Sequence, residues 1–265
     1  MSIIHFFKVF TRLWKKNQIS LRAAALTYNF IFGLVPALAV CLSILSFFVD
    51  IKSAGSNLKS FLLKNLATGT GNAVTQYLDQ FLVNLRFRTI GYVGFGALLI
   101  TSILLLSNIE DSMNRIWSID KNKKIWKRFI IYNLMIFIGP FCLAIFLATT
   151  MLAKKYTPHL LVQANVGTIL ITTCLITFFF KVMPNTKVQL SGAFISALLV
   201  ALVSELAKFA YAAYTTKALL YNKMYGGLAA LPLFLLWIYL NWIIFLAGTQ
   251  LNFFLQNRRA LMNKI

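Results

Sequence analysis

Six carboxylates occur in this 265-residue chain, Asp50, Asp79, Glu110, Asp111, Asp120 and Glu205, and only Glu205 stands well inside an apolar run. That run, residues 190–211, reads LSGAFISALLVALVSELAKFAY and is long enough to cross a bilayer. An ionisable group inside a membrane span costs about 3 kcal/mol on insertion scales, so it faces a partner or a wet cavity rather than lipid. Lys208 follows Glu205 by one helical turn. Two chemistries fit the pair: a station for a transported ion or headgroup, or a structural ion pair in which each charge makes the other tolerable. Ala193, Ala197 and Ala201 precede Glu205 at four-residue steps, giving a small-residue face that lets a neighbouring helix approach and turns the carboxylate into a helix bundle. Glu110, at the end of another apolar run, and Asn241, near the centre of the last one, complete the candidate substrate or ion pathway. Asp111 and Arg115, one turn apart in NIEDSMNRIW, form a candidate structural ion pair.

Other chemistries lack their residues. His5 and His159 are isolated, so no cluster of ligands exists to hold a catalytic metal and activate water. Cys41, Cys142 and Cys174 sit in apolar segments without metal-ligand spacing and read as small packing residues. There is no HExxH, no rhomboid-like Gly-x-Ser with a membrane histidine, and no pair of membrane aspartates. The sequence therefore predicts no catalytic residues, no metal, no cofactor and no enzyme. The net charge of +20, from 26 Lys and Arg against 6 acids, suggests a nucleic-acid partner only if it lies on a soluble face. Here it lies between apolar spans, where basic residues set topology and meet anionic phospholipids at the cytoplasmic face. The expected partner is the lipid bilayer, with no nucleic acid.

The elements that position these residues are membrane helices. With 59% hydrophobic and 12% charged residues and a mean hydropathy of +0.75, the chain reads as an all-α, polytopic membrane bundle forming a single domain, 1–265. Six spans are expected, at about 26–49, 90–109, 129–153, 166–183, 190–211 and 228–255. Residues 1–22 carry Phe6, Phe7, Phe10, Leu13 and Trp14 at helical spacing opposite Lys8, Arg12, Lys15 and Lys16, the pattern of a helix lying on the cytoplasmic leaflet. Residues 50–89 form an external helical segment, packed over the bundle mouth or lying on the outer leaflet. Pro36, Pro140 and Pro232 are candidate kinks in the first, third and sixth spans. Basic residues favour a cytoplasmic location for both termini and for the loop 121–128 between Trp117 and Trp126. In that orientation the fifth span runs outward and Glu205 lies roughly 22 Å along it, in the outer half, while Glu110 lies at the inner end of the second span.

Four stretches, RAAALTYNFIFGLVPALAV, LLLSNIEDSMNRIW, MPNTKVQLSGAFISALLVALVSELAKFAYAAY and YGGLAALPLFLLWIYLNWIIFLAGTQLN, together resemble the YihY/BrkB family of bacterial inner-membrane proteins in order and spacing. The chain departs at 190–192, where the family often has a proline before the glycine. The resemblance implies a multi-pass protein of the bacterial cytoplasmic membrane. Some members carry a ribonuclease label, others a virulence or serum-resistance label, and some have been proposed to move lipids or ions. The ribonuclease label does not suit this chain, which lacks the ligands such an activity needs. Two functions of different class remain: a transporter or flippase of lipid-like or ionic substrates, and a non-transporting scaffold for envelope assembly whose polar residues are interhelical glue.

Overall fold

The structure, a computed structural model, describes residues 3–45, 87–119, 126, 130, 161–220 and 230–258. Among them all regular structure is helical: α1 (Ile3–Lys16), α2 (Ile19–Leu45), α3 (Phe87–Ile116), α4 (Leu161–Val182), α5 (Leu190–Leu220) and α6 (Ala230–Gln256). The all-α membrane bundle expected from composition is the fold. Within α5 and α6, Leu190–Thr215 and Pro232–Gln256 are long and apolar enough to cross a membrane; α2 and α4 carry shorter apolar stretches. Only 28% of the apolar window of α5 is buried, and Leu199, Leu202, Leu206 and Phe209 stand exposed along it. A core helix of a soluble protein would bury such residues, whereas lipid accepts them. The expected third span with Pro140, and the external segment apart from the start of α3, lie outside the described residues.

The chain breaks between α1 and α2 at Asn17 and Gln18, so residues 19–22 continue into the first long helix instead of ending the leaflet helix expected over 1–22. The cause is local. Asn17 N donates to Leu13 O (2.9 Å), Gln18 N donates to Lys15 O (3.2 Å), and Gln18 takes a left-handed φ of 51°. Gln18 O then accepts from Arg22 N (3.0 Å), so the residue that stops α1 also starts α2. The end of α3 is built similarly. Ser118 (φ 53°) donates to Arg115 O (3.0 Å) and Ile119 N donates to Asn114 O (2.9 Å), the paired closing bonds of a Schellman turn with serine where glycine is usual. Pro36 lies inside α2, which is helical on both sides of it. Pro232 falls in the first turn of α6, where its missing N–H costs least.

Helices α4 and α5 are joined by residues 183–189, and this connector is tied down by side chains from elsewhere in the chain. Gln256 Nε2 donates to Lys187 O (2.9 Å) while its Oε1 accepts from Gln189 N (2.9 Å), pairing with the backbone as a neighbouring strand would. Asn114 Oδ1 accepts from Asn185 N (2.8 Å), and Lys181 Nζ donates to Val188 O.

The described residues fall into two compact units. The first comprises Met1–Arg22, Leu106–Glu205 and Ile243–Ile265. Two of its helices meet closely at Gly248 on α6, where an added Cβ would sit 2.1 Å from Val200 Cγ2 and 3.0 Å from Phe180 Cζ. Ala193, Ala197 and Ala201 are fully enclosed, so the small-residue face of α5 is a packing face as expected. Phe245 packs on Phe180 with ring centroids 5.3 Å apart. The second unit comprises Ala23–Leu105 and Leu206–Trp242. Tyr211, Leu233 and Trp237 form its buried cluster, with Tyr211 and Trp237 rings 4.8 Å apart and Tyr211 Oη donating to Leu233 O (2.6 Å).

Candidate functional site: a polar core in the first unit

Most of the buried polar side chains belong to the first unit. Asn17, Glu110, Ser112, Asn114, Ser196, Thr249, Gln250 and Asn252 are all buried there, and Glu110, Ser196, Thr249, Gln250 and Asn252 have no solvent exposure at all. Asn17 is placed by the α1–α2 break and the others by helices already described. Glu110 and Asn114 are one turn apart near the end of α3, Ser196 lies on the alanine face of α5, and Thr249, Gln250 and Asn252 come from the last turns of α6.

Part of this core is closed by hydrogen bonds. Gln250 Nε2 donates to Phe10 O (2.9 Å), and Asn17 Nδ2 donates to Gln250 Oε1 (3.4 Å), a long contact that joins the α1–α2 break to α6. Another part is not. Among the described residues, Asn252 Nδ2 and Oδ1, Ser196 Oγ, Thr173 Oγ1, Asn114 Nδ2 and Trp117 Nε1 are enclosed without a hydrogen-bond partner. Each such group costs about 1–3 kcal/mol when dry, so each is a position where water or a polar ligand is at home. Gly192 lies against one of them, since a Cβ there would stand 3.1 Å from Asn252 Oδ1.

The sequence candidates distribute unevenly over this arrangement. Glu110 is enclosed in the first unit, and Glu205, half-buried, is the last α5 residue of that unit. Lys208 and Asn241 belong to the second unit, both half-buried, and Asn241 Nδ2 donates to Trp237 O of its own helix (2.7 Å). Asp111 and Arg115 are exposed on α3, and the charges of both act on Arg22. Trp117 is buried, with its ring 5.5 Å from that of Phe253, whereas Trp126 is exposed. Cys174 is exposed on α4 rather than packed inside. Sequence reasoning passed over Asn17, Ser196 and Asn252. The available signal was TQLN at 249–252, three polar residues within four positions of a mainly apolar helix.

Comparison with known proteins bears on the whole chain. The family described as virulence factor BrkB matches residues 9–264. A UPF0761 membrane protein of Histophilus somni (strain 2336) is 32% identical over 266 residues, covering 97% of this chain and 92% of the relative. One from Vibrio vulnificus (strain YJ016) is 31% identical over 246 residues, covering 89% and 77%. One from Alcanivorax borkumensis is 31% identical over 259 residues, covering 94% of this chain, which spans only 60% of that relative's length. No solved structure matches the chain.

Proposed function

The chain belongs to the BrkB family of membrane proteins, and from that premise we propose that it is a transporter or flippase, moving a lipid-like or ionic substrate across the cytoplasmic membrane without a chemical step. The observation that carries this reading is the buried polar core of the first unit, in which an enclosed carboxylate, Glu110, shares a unit with enclosed polar atoms that no described group satisfies. Interhelical glue has no use for unsatisfied atoms, while a hydrated path does. In the orientation expected from the basic residues, Glu110 lies toward the cytoplasmic side and Glu205 toward the outer side, two stations that a cationic or headgroup-bearing substrate visits in turn. The scaffold reading draws its support from the closed bonds among Asn17, Gln250 and Phe10, which fasten α1 to α6 without any opening.

The test uses purified protein reconstituted into vesicles with fluorescent phospholipids inside or monovalent ions across the membrane. Transport predicts that Glu205→Gln abolishes movement of the substrate while membrane abundance and thermal stability in detergent stay near wild type, because the amide keeps the shape and hydrogen bonding and loses the charge. If instead Glu205→Gln is unstable and the double change Glu205→Gln, Lys208→Met restores both stability and the cellular phenotype, Glu205 is an ion-pair partner and its transport role is wrong.

A further inference from the structure

We propose that Lys16, Arg22 and Arg115 form a discrete binding site for a phosphate group, carried by a phospholipid headgroup or by a soluble phosphate compound. The three cations, with Asn17, Gln18 and Ser118, line a cavity of about 330 Å³ in the first unit. That volume falls in the range of about 300–1,000 Å³ typical of small-molecule sites. Helix electrostatics account for two of the three charges: Lys16 and Arg115 are in the last turns of α1 and α3, where a cation complements the dipole. They do not account for Arg22, which stands in the first turn of α2, at the end where a positive charge is disfavoured. Burial and the neighbouring Arg115 both act against the charge of Arg22, while Asp111 favours it. An anionic phosphate group seated among the three cations offsets that repulsion.

The site is also held in place. Arg22 Nε donates to Asn17 O (3.0 Å), which fixes the plane of the guanidinium, and Asn17 is itself buried and bonded to Gln250. A planar fork oriented in this way suits the oxygens of a phosphate better than a freely rotating ammonium does. Both left-handed non-glycine residues of the described chain, Gln18 and Ser118, border the cavity, and such backbone strain concentrates at ligand sites. This inference does not depend on transport, since a scaffold would hold a headgroup at the same place.

The experiment uses the full chain in mild detergent with two probes. Native mass spectrometry compares retention of phosphatidylglycerol with phosphatidylcholine, and thermal unfolding compares inorganic phosphate with sodium chloride at equal ionic strength. Arg22→Gln and Arg115→Gln should each weaken phosphate-dependent binding by about tenfold, and the corresponding lysine changes by less, because the charge stays and the fork is lost. Arg12→Gln, on an exposed position of α1, should leave binding unchanged. A response confined to phosphatidylglycerol identifies a headgroup; a response to inorganic phosphate identifies a soluble ligand. Equal losses in Arg12→Gln and Arg22→Gln, or no phosphate-dependent effect with either probe, overturn the site. Should a glutamine variant fail to fold, the lysine variant decides: wild-type binding in folded Arg22→Lys and Arg115→Lys leaves diffuse charge and no built site.

Discussion

In the second unit, buried and half-buried polar side chains mostly return to their own helices: Thr27 donates to Ala23 O (2.7 Å), Thr101 to Ala97 O (2.9 Å) and Asn241 to Trp237 O (2.7 Å). The first unit contains such bonds too, as from Thr177 to Thr173 O, but it also sends amides across segments, from Gln250 to Phe10, from Gln256 to the 183–189 connector and from Asn114 to Asn185, and leaves others enclosed without a partner. A hydroxyl or amide that closes on a carbonyl of its own helix is invisible to its surroundings and tolerable in lipid. One that reaches elsewhere, or waits for a partner, commits its neighbourhood to a particular arrangement or ligand. Polarity alone therefore does not mark a site in a membrane helix; where the polar atom is directed does.

The two units should differ most at their glycines. Gly248→Ala in the first unit should cost about 3 kcal/mol, because Val200 Cγ2 already occupies the space of the new methyl and cannot swing away easily, and a second change, Val200→Ala, should recover most of it. Gly33→Ala in the second unit meets only ordinary contact with Thr101 at 3.6 Å and should stabilise by about 0.5 kcal/mol through helix propensity. Equal effects in detergent unfolding would erase the contrast in packing.

The next effect separates the polar groups themselves. Asn252→Leu keeps the shape of the side chain and removes two enclosed polar atoms, so it should raise stability by about 1 kcal/mol while impairing whatever the polar core does; Asn241→Leu should change stability by less. Loss of stability in Asn252→Leu would mean that the side chain is a structural hub. The smallest effect concerns a bond of the second unit that crosses between helices. Tyr211→Phe should cost up to about 1 kcal/mol, since Leu233 O loses a donor while the ring stack on Trp237 survives. A cost well above that would show the second unit to depend on directed polar contacts as the first does.

Fold class was legible because apolar runs of bilayer length and a small-residue stripe are one-dimensional signals; the enclosed Ala193, Ala197 and Ala201 follow from spacing alone. The helix break at Gln18 and the turn at Ser118 were not legible, since neither residue is the glycine that normally announces a left-handed turn. Glu110 and Asn114 were recognisable as polar residues at the end of a span, but whether such residues meet water or protein depends on what packs over them, and the residues that reach Asn17 and the 183–189 connector come from the far end of the chain, Gln250 and Gln256. Asn252 was hidden for the opposite reason: in sequence it is one more amide near a helix end, and only its enclosure without a partner sets it apart.

The contact at Gly248 limits how the first unit can move. With Val200 Cγ2 2.1 Å from where a single methyl would stand, α6 and α5 touch there almost backbone to side chain, with no intervening layer to shear. Sliding along the axis would drive Val200 onto the side chains one turn away on the same face of α6, Ile244 and Asn252, whereas a small rotation keeps the contact intact. Mechanically the crossing is a pivot pin for the first unit: a small turn about Gly248 displaces Gln256, two turns along α6, farther than Asn252, one turn along it.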